Sequence, residues 1–108
     1  MLWNKRSMPA NALRLDLNNP VFQRTLFALD KTRQAAVLST LRKLATMTWE
    51  QIHHDPGLRW EAIHSVTGPH GHRIYSFRIG RSFRALAYRN GDWLRLLSLH
   101  PDHGSAYS

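Results

Sequence analysis

From residue 12 onward the chain passes through three hydrophobic patterns in turn. ALRLDL (12–17) alternates apolar with polar positions, as a short strand does. Phe22, Leu26 and Leu29 then recur at i, i+4 and i+7, the spacing of one helix face. Asn19-Pro20 just ahead of them reads as the N-cap and first residue of that helix. Asp30 stands where it can cap a second helix running to about Met47, with Val37, Leu41, Leu44 and Ala45 as its buried stripe. Two helices joined this closely predict an antiparallel helical hairpin. Residues 48–54 add a helical turn, which Pro56-Gly57 ends.

The second half reads as β. Candidate strands cover residues 58–64, 73–79, 83–89 and 92–99, with a Gly/His loop at 67–72. Asn90-Gly91 predicts a two-residue type I′ turn, which would pair Arg89 with Asp92 and Tyr88 with Trp93. A three-residue loop of Gly80, Arg81 and Ser82 pairs Ile79 with Phe83 and Arg78 with Arg84. That register sends Tyr75, Phe77, Ile79, Phe83, Ala85, Ala87, Leu94 and Leu96 toward the helices. It leaves Arg78, Arg84, Tyr88, Trp93 and Arg95 on the opposite face with Leu86 and Leu97. A slip of one residue would bury the arginines, at a prohibitive desolvation cost. The expected fold is α+β, an N-terminal helical hairpin packed on one face of a C-terminal antiparallel β-sheet.

The 108 residues predict one domain, 1–108, with residues 1–11 as a flexible arm. No apolar run has membrane-spanning length, and the N-terminus lacks an apolar h-region. A cytoplasmic protein with no membrane partner is the expectation. The absence of cysteine excludes disulfides and thiolate chemistry. Charge adds more: fifteen basic residues stand against seven acidic ones, and twelve of the fifteen are arginine. A guanidinium fork matches phosphate, so the bias points to nucleic acid or the ribosome. An acidic protein partner covering the basic surface accounts for it too, and both can hold.

Three segments carry a family resemblance: GLRWEAI (57–63), YSFRIGRSFRALAY (75–88) and HGSAY (103–107). In that order, and over residues from about 12 to 107, the chain resembles the RelE/ParE superfamily of bacterial type II toxins. The resemblance implies a cognate antitoxin, and DNA reached through the antitoxin complex. Its RNA-cleaving branch implies a metal-independent endoribonuclease that cuts mRNA in the ribosomal decoding site and needs no cofactor. Its gyrase-poisoning branch implies the same fold without that chemistry, and an inactive basic module is a further alternative. The lysines some ribonuclease members carry before the hairpin are absent here, where Ser76 and Arg78 stand.

RNA is cut without a metal when its 2′-hydroxyl attacks the adjacent phosphorus, which requires proton carriers and cations around the phosphate. By the resemblance Arg84 is the arginine that holds phosphate oxygens, with Arg78 beside it across the hairpin. His103 and Tyr107 of the tail are candidates for proton transfer, and His100 is an alternative to His103 that the sequence does not choose between. Glu61 matches a position where some members hold a glutamate base; otherwise it is an exposed strand residue paired with an arginine. Arg95, Trp93, Tyr88, Arg73 and His100 are the candidate RNA-binding residues. Trp60 and Trp93 can stack on bases or serve as core or partner-facing anchors. His70-Gly71-His72 and the run from His100 to His103 match no zinc template, so no metal is expected.

Overall fold

The computed structural model of the protein describes residues 12–101, and the expected N-terminal arm lies outside them. The chain runs β1 (Arg14–Asp16), α1 (Pro20–Ala28), α2 (Lys31–Ala45), α3 (Trp49–His54) and β2 (Glu61–Thr67). A 3₁₀ turn (Pro69–Gly71) leads into β3 (Arg73–Gly80), β4 (Phe83–Asn90) and β5 (Trp93–His100). The fold is α+β, with three helices and one five-stranded sheet ordered β1-β5-β4-β3-β2. No helix among the described residues is long and apolar enough to cross a membrane.

Side-chain caps set the helix starts. The Asn19 carboxamide accepts from the backbone N–H of Val21 at 2.8 Å and of Phe22 at 3.3 Å, and Pro20 follows it in the first turn. Asp30 accepts from the N–H of Arg33 at 2.8 Å. Thr48 and Gln51 close a reciprocal capping box on α3. After α3 the Asp55 carboxylate accepts the Leu58 N–H and the Lys43 ammonium, each at 2.9 Å, fixing the path into β2.

One core joins the helices to the sheet. Phe22 from α1, Val37, Leu41 and Leu44 from α2, and Ile52 from α3 pack with Phe77, Phe83, Ala85, Ala87, Leu94, Leu96 and Leu99. Ala45 is only half-buried. Each large side chain fully withdrawn from water contributes roughly 1.5–3 kcal/mol. Ile79 packs at the margin of this core and Tyr75 is half-buried.

The strands depart from expectation in four places. β1 joins the edge of β5 in parallel, Leu15 beside Leu94, so the sheet is mixed and not wholly antiparallel. β2 begins at Glu61 rather than 58, because Arg59 takes a left-handed φ of 48° that breaks the extended chain. Asn90 belongs to the ladder, pairing with Trp93, while Arg89 pairs with Leu94 and Tyr88 with Arg95. The turn is therefore Gly91-Asp92, with positive φ at Gly91. Arg78 stands opposite Arg84 as expected, but Gly80 takes the place of Ile79 as the partner of Phe83.

The face assignments survive because the β4–β5 register moves by two residues, which preserves parity. A bulge then skips Leu97, since Ala87 pairs with Leu96 and Leu86 with Ser98. That bulge returns Leu99 to the core and turns His100 to the face of Arg84.

Candidate functional site

The face of the sheet turned away from the helices holds the candidate site. Arg78 on β3 pairs with Arg84 on β4, and Arg84 pairs in turn with His100 on β5. Neighbouring strands lie about 4.8 Å apart, so these three backbones fall within about 10 Å across the sheet. One strand position further along, Ser76 pairs with Leu86 and Leu86 with Ser98, while Glu61 on β2 pairs with Ser76.

Arg84 is tied down. Its Nη2 donates to the Ser76 hydroxyl at 2.5 Å and to the Arg59 carbonyl at 3.1 Å. Neither Arg78 nor Arg84 has a carboxylate within ion-pair distance among the described residues. Glu61 is exposed and likewise makes no ion pair there, so its expected arginine partner is not found. His100 lies in hydrogen-bond contact with Ser98, Nε2 to Oγ at 2.9 Å, and burial pushes its imidazole below the usual 6.5. A half-buried, readily neutral imidazole beside the tethered Arg84 guanidinium can accept a proton close to a bound phosphate.

The other candidates among the described residues lie away from this row. His103 and Tyr107 lie outside the described residues. Arg95 shares the Arg84 face but is engaged with Asp16, and Trp93 stands near it at the far end of β5. The Trp93 ring centre is 5.8 Å from the Arg14 guanidinium and 5.6 Å from that of Arg95. Trp93 stands seven positions before His100, about 23 Å of strand. Tyr88 is 8% exposed and lies against His72 with ring centres 4.8 Å apart, so it offers a base little open ring. Arg73 alternates onto the Tyr75 side at the opposite end of β3, away from Arg84. Trp60 stacks on Tyr75 at 4.7 Å and meets Trp49 and His53 edge-on, a packed cluster and not an open platform. Among the described residues no three His, Cys, Asp or Glu side chains are grouped to hold a metal ion.

Two members of the arginine cluster escaped the sequence reading. Ser76, 5% exposed, stands where some relatives carry lysine, and its place two residues before Arg78 puts it on the same face. Arg59 takes part through its carbonyl, from a left-handed backbone position that its residue type does not announce.

This arrangement of helices and sheet occurs in known proteins. The chain is similar to a chain of the archaeal RelE–RelB complex from Pyrococcus horikoshii, with a TM-score of 0.60 and 17% identity over 83% of this chain and 94% of that one. It is also similar to a copper-bound mutant toxin from Helicobacter pylori, with a TM-score of 0.50 and 22% identity over 88% of this chain and 99% of that one. The protein therefore has a RelE-like fold. No protein-family model matches the chain, and no curated protein matches it in sequence.

Proposed function

We propose that this protein is the toxin of a toxin–antitoxin pair and an endoribonuclease that cuts mRNA on the ribosome, inhibiting translation. The observation that carries the reading is the Arg78–Arg84–His100 row on the helix-free face of a RelE-like fold. Arg84 and Arg78 hold the scissile phosphate and take up the charge that builds on its oxygens. A base accepts the 2′-hydroxyl proton as the O2′–P bond forms, and an acid returns a proton to the 5′ oxygen as the P–O5′ bond breaks. The products are a 2′,3′-cyclic phosphate and a 5′-hydroxyl. His100 is the base this geometry favours, with Glu61 the nearby alternative. His103 and Tyr107 remain candidates for the acid.

The neighbour from Pyrococcus horikoshii was crystallised as a RelE–RelB complex. By analogy an antitoxin binds this chain, and its acidic side chains would suit the arginine face. Transcript 5′ ends mapped after induction in a bacterial host test the reaction. New 5′-hydroxyl ends inside translated codons support it. Growth arrest with altered DNA supercoiling and intact transcripts would instead favour a gyrase-binding toxin.

A further inference from the structure

The way Arg84 is held has a chemical consequence. A guanidinium can grip a phosphate with two parallel N–H bonds along either of two edges, Nε with Nη2 or Nη1 with Nη2. Both edges require Nη2. In this protein the two Nη2 hydrogens are directed at the Ser76 hydroxyl, 2.5 Å away, and the Arg59 carbonyl, 3.1 Å away. Nε and Nη1 are then left to meet a phosphate singly, from a guanidinium held at Nη2.

Both anchors are themselves fixed. Ser76 lies in the middle of β3 and is 5% exposed, so its hydroxyl has a stake in keeping the arginine as partner. Arg59 sits at φ 48°, a conformation rare for a residue with a side chain. The segment before it is pinned to Arg78, whose N–H donates to the Leu58 carbonyl at 2.7 Å, and to Asp55 through the Leu58 N–H. The same segment thus touches the backbone of one arginine of the pair and the side chain of the other.

We propose that Ser76 is a positioning residue for the cleavage reaction. Together with the Arg59 carbonyl it clamps Arg84 by Nη2 and leaves one edge donor, Nε or Nη1, to meet the phosphate in a fixed orientation. This role rests on the ribonuclease reading above. The ordering of a long side chain is completed before RNA arrives, so the benefit falls on the chemical step more than on binding.

The test compares wild type, Ser76→Ala, Ser76→Thr, Arg84→Ala and the Ser76→Ala/Arg84→Ala double variant in single-turnover cleavage of mRNA on stalled ribosomes. Nitrogen-15 NMR of the Arg84 Nε–H group is recorded in parallel on the free proteins. Ser76→Ala is expected to lower the cleavage rate constant about tenfold or more with little change in the half-saturating ribosome concentration. Ser76→Thr, which keeps a hydroxyl, restores the rate. In the Arg84→Ala background Ser76→Ala adds nothing further. The Nε–H signal is ordered in wild type and mobile in Ser76→Ala. Wild-type cleavage by Ser76→Ala, an undiminished Ser76→Ala effect without Arg84, or equal Arg84 mobility in both proteins would overturn the proposal. An Arg84 ordered by Ser76 in a wild-type chain that leaves mRNA uncut would refute the reaction and leave the clamp standing.

Discussion

Arg78 and Arg84 face one another directly across the β3–β4 hairpin, two cations on one side of the sheet with no carboxylate within ion-pair distance of either among the described residues. Directly opposed like charges destabilise a strand pair. A bound phosphate reverses that cost, since its oxygens lie between two donors instead of an anion meeting none. Arg84→Ala is therefore expected to lower mRNA cleavage about a hundredfold or more, the usual penalty for losing a donor aimed at developing charge. Arg78→Ala loses less, because no side-chain bond holds Arg78 in place among the described residues. Thermal unfolding should show that Arg84→Ala costs under about 2 kcal/mol, mainly from the Ser76 hydroxyl left without its donor. A collapse of stability matching the loss of activity would remove the catalytic interpretation.

Salt dependence tests whether the pair touches phosphate. For single-stranded RNA the logarithm of the binding constant falls against log salt with a slope of about −0.7 for each phosphate neutralised. Removing Arg78 should reduce the steepness of that slope by about 0.7. Fluorescence anisotropy of a labelled, uncleavable 2′-deoxy oligonucleotide across a salt series measures it. An unchanged slope would place the RNA elsewhere.

The pH profile follows from His100. Burial disfavours its imidazolium, so its pKa in the folded protein lies below the usual 6.5. If His100 is the base, the acid limb of the cleavage profile has its midpoint below 6.5, and His100→Gln abolishes that limb together with most activity. The same shift affects stability. As pH falls through 6.5 the unfolded chain takes up the proton before the folded one, so His100 makes the protein less stable on acidification, and His100→Gln flattens that slope. Urea midpoints measured from pH 7 down to 5 reveal it.

Asp16 acts at lower pH. The Asn18 backbone N–H, 3.0 Å from the carboxylate, and the Arg95 guanidinium hold Asp16 below its ordinary 3.8, against the opposing effect of burial. A lowered pKa contributes stability that is complete above the unfolded value and is lost as pH falls through the folded one. Acid unfolding should therefore steepen below about pH 4, and Asp16→Asn should make it shallower. Because Asp16 ties β1 to β5, the variant should also speed amide exchange at the Arg14 N–H, which bonds the Asp92 carbonyl at 2.8 Å.

Much of this architecture is legible in the residues because it follows from periodicity and local chemistry. Asn19-Pro20 and Asp30 start their helices where their side chains can reach free N–H groups, and alternation assigns Phe77, Ala85 and Leu94 to the core. The Arg78–Arg84 pairing follows from the same parity. What escaped depends on distant partners or on strain. Nothing within residues 12–17 reveals that β1 will run parallel to a strand almost eighty residues later. Asn90 and Gly91 both tolerate a left-handed turn, and only the completed ladder shows that Asn90 stays in the strand. The bulge at Leu97 brings His100 beside Arg84, and no local pattern announces it. The tethers on Arg84 come from Ser76 on the neighbouring strand and from a carbonyl 25 residues earlier, a meeting that sequence spacing cannot express.

The most direct test of the central claim uses mRNA programmed on stalled ribosomes, prepared with either a ribose or a single 2′-deoxyribose at the nucleotide where cutting occurs. The account predicts that wild type cuts the ribose form, leaving a 2′,3′-cyclic phosphate and a 5′-hydroxyl. Arg84→Ala should cut it about a hundredfold more slowly or worse. The 2′-deoxy form should remain intact. Cleavage of the 2′-deoxy mRNA, or equal rates for wild type and Arg84→Ala, would contradict it.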